Sequence, residues 1–250
     1  MVLFEPTFPM YLDHLQISGG SLKSVPLEVN DQGHWVFDPE KLRATLSKKT
    51  KLIILNTPHN PTGKCFTREE LEQISDILDE FPDCKVLSDE VYDFLTFDNV
   101  EHIPFASIKD NWQRTITVYS GGKLLNATGW KVGWAIAPPL LLRLGGIMNN
   151  TTFYCQNTPA QVAMSKSLGL VDEPSYNGQL SFVEDAKSKF TEVRDFLTKE
   201  IEEMDMPWKP LPCQSGYFLL ADVSECRNLV PKKFFESHDY DPPSPDGSKI

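Results

Sequence analysis

A chain of 250 residues with 40% hydrophobic and 24% charged side chains has the composition of a folded globular protein, neither disordered nor membrane-like, and no apolar run approaches the roughly 20 residues that a membrane-spanning helix needs. The formal net charge of -11 repels phosphate backbones and argues against a nucleic-acid partner. Cys65, Cys84, Cys155, Cys213 and Cys226 form no CxxC pair and no cluster with histidine, so no metal site is expected and a reducing compartment is.

In chain order, residues 1–6 lack the basic and apolar regions of a secretory signal. Residues 2–4 read as the end of a strand, and Met10–Ile17 as a helix closed by the Gly19-Gly20 turn. Asp38 as N-cap with Pro39 in the first helical position opens a helix to about Ser47. Residues 51–56 form a short apolar strand. Thr67 and Glu70 make a capping box for an amphipathic helix with Leu71, Ile74, Ile77 and Leu78 on one face. Strands follow at Lys85–Asp89, Thr115–Ser120 and residues 133–137, the last ended by Pro138-Pro139. Helices are expected at residues 140–149 and 159–170, then a long one at about 180–204 whose length suits a connection between domains. Residues 216–223 read as a strand of a second domain, and the tail from Asp239, rich in Pro, Asp and Ser, as loop. The alternation of strand and helix predicts an α/β fold with a mainly parallel central sheet flanked by helices.

Four short segments stand out along this pattern. They are Asn56-Thr57-Pro58-His59-Asn60-Pro61-Thr62-Gly63, Ser88-Asp89-Glu90-Val91-Tyr92, Ser120-Gly121-Gly122-Lys123, and Thr128-Gly129-Trp130-Lys131-Val132-Gly133-Trp134. Singly they are weak: the first is a run of turn residues, and Asp89 alone is a carboxylate at a strand end. In this order they resemble the class I, fold-type I aminotransferases dependent on pyridoxal 5'-phosphate (PLP). The nearest branch is that of kynurenine aminotransferase and glutamine transaminase K, also known as cysteine-S-conjugate β-lyase. The resemblance runs from Glu5 to about Val223.

The resemblance implies a chemistry that explains these residue types. PLP draws electrons from an amino acid, and the protein supplies position and electrostatics. Lys123 matches the family lysine that bonds to the cofactor aldehyde; an ordinary lysine, with a pKa of about 10.4, needs desolvation or nearby cations to become a good nucleophile. Asp89 matches the carboxylate that keeps the ring nitrogen protonated. Tyr92 and Asn60 resemble the pair that hydrogen-bonds the ring 3-oxygen, with Asn56 nearby in the same pattern. Phe8 sits where the family places a stacking aromatic, and Val91 would cover the other face. Ser120 and Lys131 match the phosphate contacts. Lysine replaces the arginine of many relatives at 131, a point charge in place of a bidentate fork.

The implied reaction is transamination between an amino acid of kynurenine, glutamine or aromatic type and a 2-oxo acid, with cysteine-S-conjugate β-lyase activity a further property of the branch. The implied assembly is a homodimer or larger, with residues 151–157 near the partner. Residues 1–180 would be the PLP-binding large domain, and 181–250 the connecting helix and the beginning of a small domain. The family's Gly-rich phosphate grip and its substrate-carboxylate arginine are expected to fall outside these 250 residues. Two readings therefore stand: part of an active transaminase, or a catalytically impaired aminotransferase-like subunit with a structural or interaction role. The expected compartment is cytoplasmic or mitochondrial.

Overall fold

Strand β1 (Val2–Glu5) lies inside a seven-stranded sheet, with Val2, Leu3 and Phe4 buried. The computed structural model describes residues 1–174, 178 and 180–231; the tail from Asp239 lies outside them. After β1 come α1 (Met10–Ile17), β2 (Lys23–Val29), β3 (Trp35–Phe37), α2 (Pro39–Thr45) and β4 (Leu52–Asn56). Then follow α3 (Arg68–Asp79), β5 (Lys85–Asp89), β6 (Thr115–Ser120), α4 (Gly121–Leu124) and β7 (Gly133–Ile136). The chain continues through α5 (Pro139–Thr152), α6 (Thr158–Leu168) and α7 (Phe182–Glu203) to a two-stranded sheet of β8 (Lys209–Pro210) and β9 (Ala221–Asp222).

The sheet order is β3-β2-β1-β4-β5-β6-β7. Strands β2, β1, β4, β5 and β6 run parallel, and the two edge strands are antiparallel. A parallel sheet covered by helices is buried on both faces, so its strands read as near-continuous apolar runs; Ile53, Ile54 and Leu55 of β4 are all buried. The chain leaves β1 toward β2 and returns to β4 on the other side. The switch point of the sheet therefore lies between β1 and β4, where ligands collect in open α/β folds.

Two helices start where their side chains satisfy the free N–H groups. Asp38 accepts from the Glu40 and Lys41 amides, and Pro39, which has no N–H, follows it. Thr67 Oγ1 accepts from Glu70 N at 3.2 Å while Thr67 N donates to Glu70 Oε2 at 2.9 Å. The apolar stripe of α3, Leu71, Ile74, Ile77 and Leu78, is buried in the main core with Phe4, Phe37 and Phe66. The Phe4 ring centroid is 5.4 Å from that of Phe37 and 5.2 Å from that of Phe66. Burying one such side chain contributes about 1.5–3 kcal/mol, and truncating it to alanine costs about 2–5 kcal/mol because a cavity remains.

Two regions differ from the sequence expectation. Strands β2 and β3 carry no clear local signal because Pro26 interrupts the β2 run, and proline cannot donate to a ladder. In the sheet, Pro26 is the last residue paired with β1, and pairing with β3 begins at Leu27. The missing N–H thus falls where the strand changes partners. The strand expected over residues 216–223 is reduced to Ala221–Asp222. The preceding segment spends its hydrogen bonds elsewhere: Phe97 N donates to Gln214 O, Gly216 N to Leu95 O, and Gln214 N to Gly63 O.

Candidate active site

Register places the site. Asn56 pairs with Asp89 across β4 and β5, and Asp89 with Val118 across β5 and β6. The motif residues thus emerge side by side at the carboxyl ends of adjacent parallel strands, while Phe8 follows the end of β1.

Asn56 ties these ends together. Its Nδ2 donates to Pro58 O at 3.1 Å and to Asp89 O at 2.9 Å, and its Oδ1 accepts from Asn60 N at 2.7 Å. An amide buried at 4% exposure and bonded on both ends fixes the 56–60 turn and sets Asn60 beside Tyr92. Gly63, with φ of 69°, closes that turn; a Cβ there would stand 2.9 Å from both Cys213 Sγ and Ser215 O. The position is thus closed to larger residues by backbone conformation and by packing.

Ser120 ends β6 and caps α4, its Oγ accepting from Lys123 N at 3.2 Å. Gly122 lets the Thr128 backbone approach: a Cβ would meet Thr128 Cα at 2.9 Å. Lys123 Nζ lies 5.6 Å from the Tyr92 ring centroid and 5.7 Å from that of Tyr217. The Tyr217 hydroxyl donates to Lys123 O at 2.6 Å. Tyr92 and Tyr217 meet edge to face, 5.1 Å between centroids, and Phe190 of α7 stacks on Tyr217 at 4.8 Å.

A cavity of about 150 Å³ is lined by Phe8, Tyr11, Asn56, Asn60, Asp89, Val91, Tyr92, Ser120 and Lys123. Eight of the nine residues expected from sequence are in that set. Lys131 is not; it is exposed, with φ of 55°, just after the turn at Thr128–Trp130. A larger opening of about 690 Å³ lies between residues 93–102 and the start of α7, and none of the motif residues faces it.

Burial governs the electrostatics. It raises the Asp89 carboxyl above the usual carboxylate range, against the Tyr11 hydrogen bond, which lowers it. It pushes the Tyr92 phenol up to about 12, with the Asp89 charge adding to the rise and the Asn60 hydrogen bond opposing it. Tyr11 and Tyr217 are likewise raised, chiefly by burial, so both phenols stay protonated donors at neutral pH. The arrangement combines an amine, a desolvated carboxylate, phenol and amide donors and flanking apolar side chains. That set suits a flat, polar, partly cationic ligand.

The model of the family described as aminotransferase class I and II matches residues 1–237. The chain belongs to this family. The kynurenine–oxoglutarate transaminase of Dictyostelium discoideum is 35% identical over 239 residues, covering 90% of this chain and 53% of the relative. Among solved structures, N-succinyldiaminopimelate aminotransferase from Mycobacterium tuberculosis superposes with a TM-score of 0.81 at 31% identity, covering 88% of this chain and 54% of that one. A PLP-bound structure from Clostridium difficile 630 superposes with a TM-score of 0.77 at 27% identity, covering 89% and 56%. The chain spans about half the length of the curated relatives it matches.

Sequence reasoning missed Tyr11, which lines this cavity, and Tyr217, which braces Lys123 beside it. Their partners, Asp89 and Lys123, lie 78 and 94 residues away, and no local spacing reports such contacts.

Proposed function

We propose that this chain supplies the PLP-carrying core of a transaminase, with Lys123 as the residue that bonds to the cofactor. The observation that carries the reading is the meeting of Lys123 and Asp89 in one cavity at the carboxyl ends of β6 and β5. The residues fit such a cofactor on their own chemistry. Among the described residues, Asp89 Oδ1 has a single long 3.4 Å contact, with Val91 N, so it has capacity to accept from a protonated ring nitrogen, whose charge would offset the burial that disfavours the carboxylate. Phe8 and Val91 both line the cavity, as the two faces of an aromatic ring require.

When bound, PLP supplies an electron-withdrawing ring that stabilises negative charge released at an amino acid's Cα. Asp89 holds the proton on the ring nitrogen by opposite charge. Tyr92 and Asn60 donate to the ring 3-oxygen. Ser120, which lines the cavity, would serve the phosphate, and Lys131, exposed and outside the cavity lining, would have to reach in to add its charge. Lys123 Nζ first holds the cofactor and then, as a free amine, moves the proton at the substrate Cα. The proposed substrates are an amino acid of kynurenine, glutamine or aromatic type and a 2-oxo acid, with cysteine-S-conjugate β-lyase activity as a side reaction. The name of the Dictyostelium relative supports the transaminase class.

In this reading, residues 1–180 form the cofactor domain and 181–250 lead into a smaller one. The working assembly is a homodimer, in which exposed Phe153 and Tyr154, near Asn157, approach the partner. The deciding experiment is borohydride reduction in the presence of PLP followed by peptide mapping. Pyridoxyl label is expected on Lys123 and is absent after Lys123→Ala. Label on a different lysine, with Lys123 unmodified, would overturn the assignment.

A further inference from the structure

The carboxylate at the end of β5 does not stand alone. Tyr11 Oη donates to Asp89 Oδ2 at 2.5 Å, bridging 78 residues of sequence. Tyr11 is the buried residue of α1, at 7% exposure, on an otherwise largely exposed eight-residue helix. Its ring also meets Phe8 edge on, at 5.5 Å and 85°. One side chain therefore touches both the carboxylate and the aromatic that line the cavity.

We propose that Tyr11 is a positioning residue that holds Asp89 ionised and oriented for a ring-nitrogen proton while bracing Phe8. This deepens the PLP reading and rests on it for the identity of the proton's owner. Among the described residues, the Asp89 carboxylate accepts from two groups, the Tyr11 hydroxyl and, at a long 3.4 Å, Val91 N. Tyr11 therefore supplies its short hydrogen bond. A hydrogen bond to the charged form of an acid favours that form, and bonds to an ionised acceptor are about twice as strong as neutral ones. Burial works the other way and raises Asp89. If the carboxyl kept its own proton, it could not hold the proton of a ring nitrogen. Tyr11 opposes that outcome, and by occupying Oδ2 it leaves Oδ1 as the oxygen with accepting capacity to spare. The other ionisable groups acting on Asp89 are Glu90, which raises it, Lys123 on α4, which lowers it, and Tyr92, whose own phenol it raises.

The test separates tuning from mere packing. Tyr11→Phe keeps the ring and its edge contact with Phe8 and removes only the hydroxyl. In cofactor-free protein, the Asp89 carboxyl is titrated by carbon-13 NMR, with Asp89→Asn used to assign the signal. The Asp89 midpoint is expected to rise by about one pH unit in Tyr11→Phe, a tenfold change in the ratio of protonated to ionised carboxyl. Replacing Tyr11 by 3-fluorotyrosine, whose phenol is more acidic, keeps the packing and is expected to lower the midpoint. An unchanged midpoint in either variant would overturn the proposal, even if stability fell. Because the titration needs no cofactor, it can succeed while borohydride labelling of Lys123 fails. That pattern would sink the PLP reading and leave the Tyr11–Asp89 coupling standing.

Discussion

Tyr217 reaches from the segment after α7 to the lysine of the site, donating its hydroxyl to Lys123 O at 2.6 Å while its ring stands edge on to Tyr92. The short helix α4 is thus braced from the far end of the chain. Tyr217→Phe keeps the ring and loses the hydrogen bond, which should cost about 1 kcal/mol of folding stability. Tyr217→Ala also removes the ring from between Phe190 and Tyr92 and should cost about 3 kcal/mol or more. Denaturant midpoints of the two variants check this ordering. Equal losses would mean that the hydroxyl carries the whole interaction.

Asp89→Asn should separate chemistry from folding. An amide keeps the size of the side chain but cannot balance a ring-nitrogen proton with negative charge. Under the proposed transaminase reading, turnover should fall by about 100-fold or more, the scale seen when one preorganised electrostatic contact is lost. The folding midpoint should move little, since burial already disfavours the charge. Steady-state kinetics with an aromatic amino acid and a 2-oxo acid provide the readout, and full turnover by the variant would refute the role.

His59 makes stability depend on pH. Its ring is buried, with Nδ1 2.8 Å from Thr62 Oγ1. Burial, aided by the Lys64 charge, pushes it down to about 3 from an ordinary value near 6.5. Between those values the unfolded chain binds a proton that the folded chain does not, so stability rises with pH. The contribution is complete above about pH 6.5 and is lost as pH falls toward 3, by on the order of 5 kcal/mol in total. Urea unfolding from pH 7.5 down to pH 4 should show this slope in the wild type, and His59→Gln should flatten it. Parallel slopes would exclude His59 as the source.

Lys64 is buried at 3% side-chain exposure, with Nζ 2.7 and 2.8 Å from the two Glu70 oxygens and 2.5 Å from Trp35 O. The carboxylate that completes the capping box of α3 is therefore also the counter-ion of a buried ammonium. Glu70→Gln leaves that charge without its partner and should destabilise the fold by about 3 kcal/mol. Adding Lys64→Met should recover part of the loss. Thermal unfolding of the single and double variants measures the coupling, and additive losses would show that the pair is not coupled.

What could be read from the sequence divides by the range of the signal. Strands β5 and β6 and helices α1 and α3 are marked by contiguous apolar runs, a 3.6-residue period or a cap three residues away, so their limits follow from neighbours in the chain. Asn56, Asn60, Asp89, Val91, Tyr92, Ser120 and Lys123 were legible because each sits in a short motif at a strand end, and parallel register then gathers those ends. Strand β2 was hidden by Pro26, whose lack of an N–H matters only once its two neighbours are known. Residues 216–223 read as a strand because their composition suits one, yet Gly216 and Tyr217 at its start bond to Leu95 and Lys123 instead, as Gln214 just before them does to Gly63 and Phe97. Tyr11 lies within the helix read at Met10–Ile17 and carries no local signal of its own; only Asp89, far along the chain, gives its hydroxyl a purpose.

The brace at Tyr217 also sets an order of events during synthesis. At a translation rate of roughly 5–20 residues per second, the ribosome releases Tyr217 about 5–20 s after Lys123, since 94 positions separate them. All seven strands of the main sheet have been made by then, and the carboxyl ends of β4, β5 and β6 can align while α4 still lacks its short hydrogen bond from the phenol. Docking of the Gln214–Tyr217 loop against Gly63 and Lys123 therefore cannot begin until every strand of the seven-stranded sheet has been made. A nascent chain stalled before residue 217 would carry the lysine and all seven main strands without the ring that borders the site, which gives arrested ribosome complexes a direct use in timing when the site becomes competent.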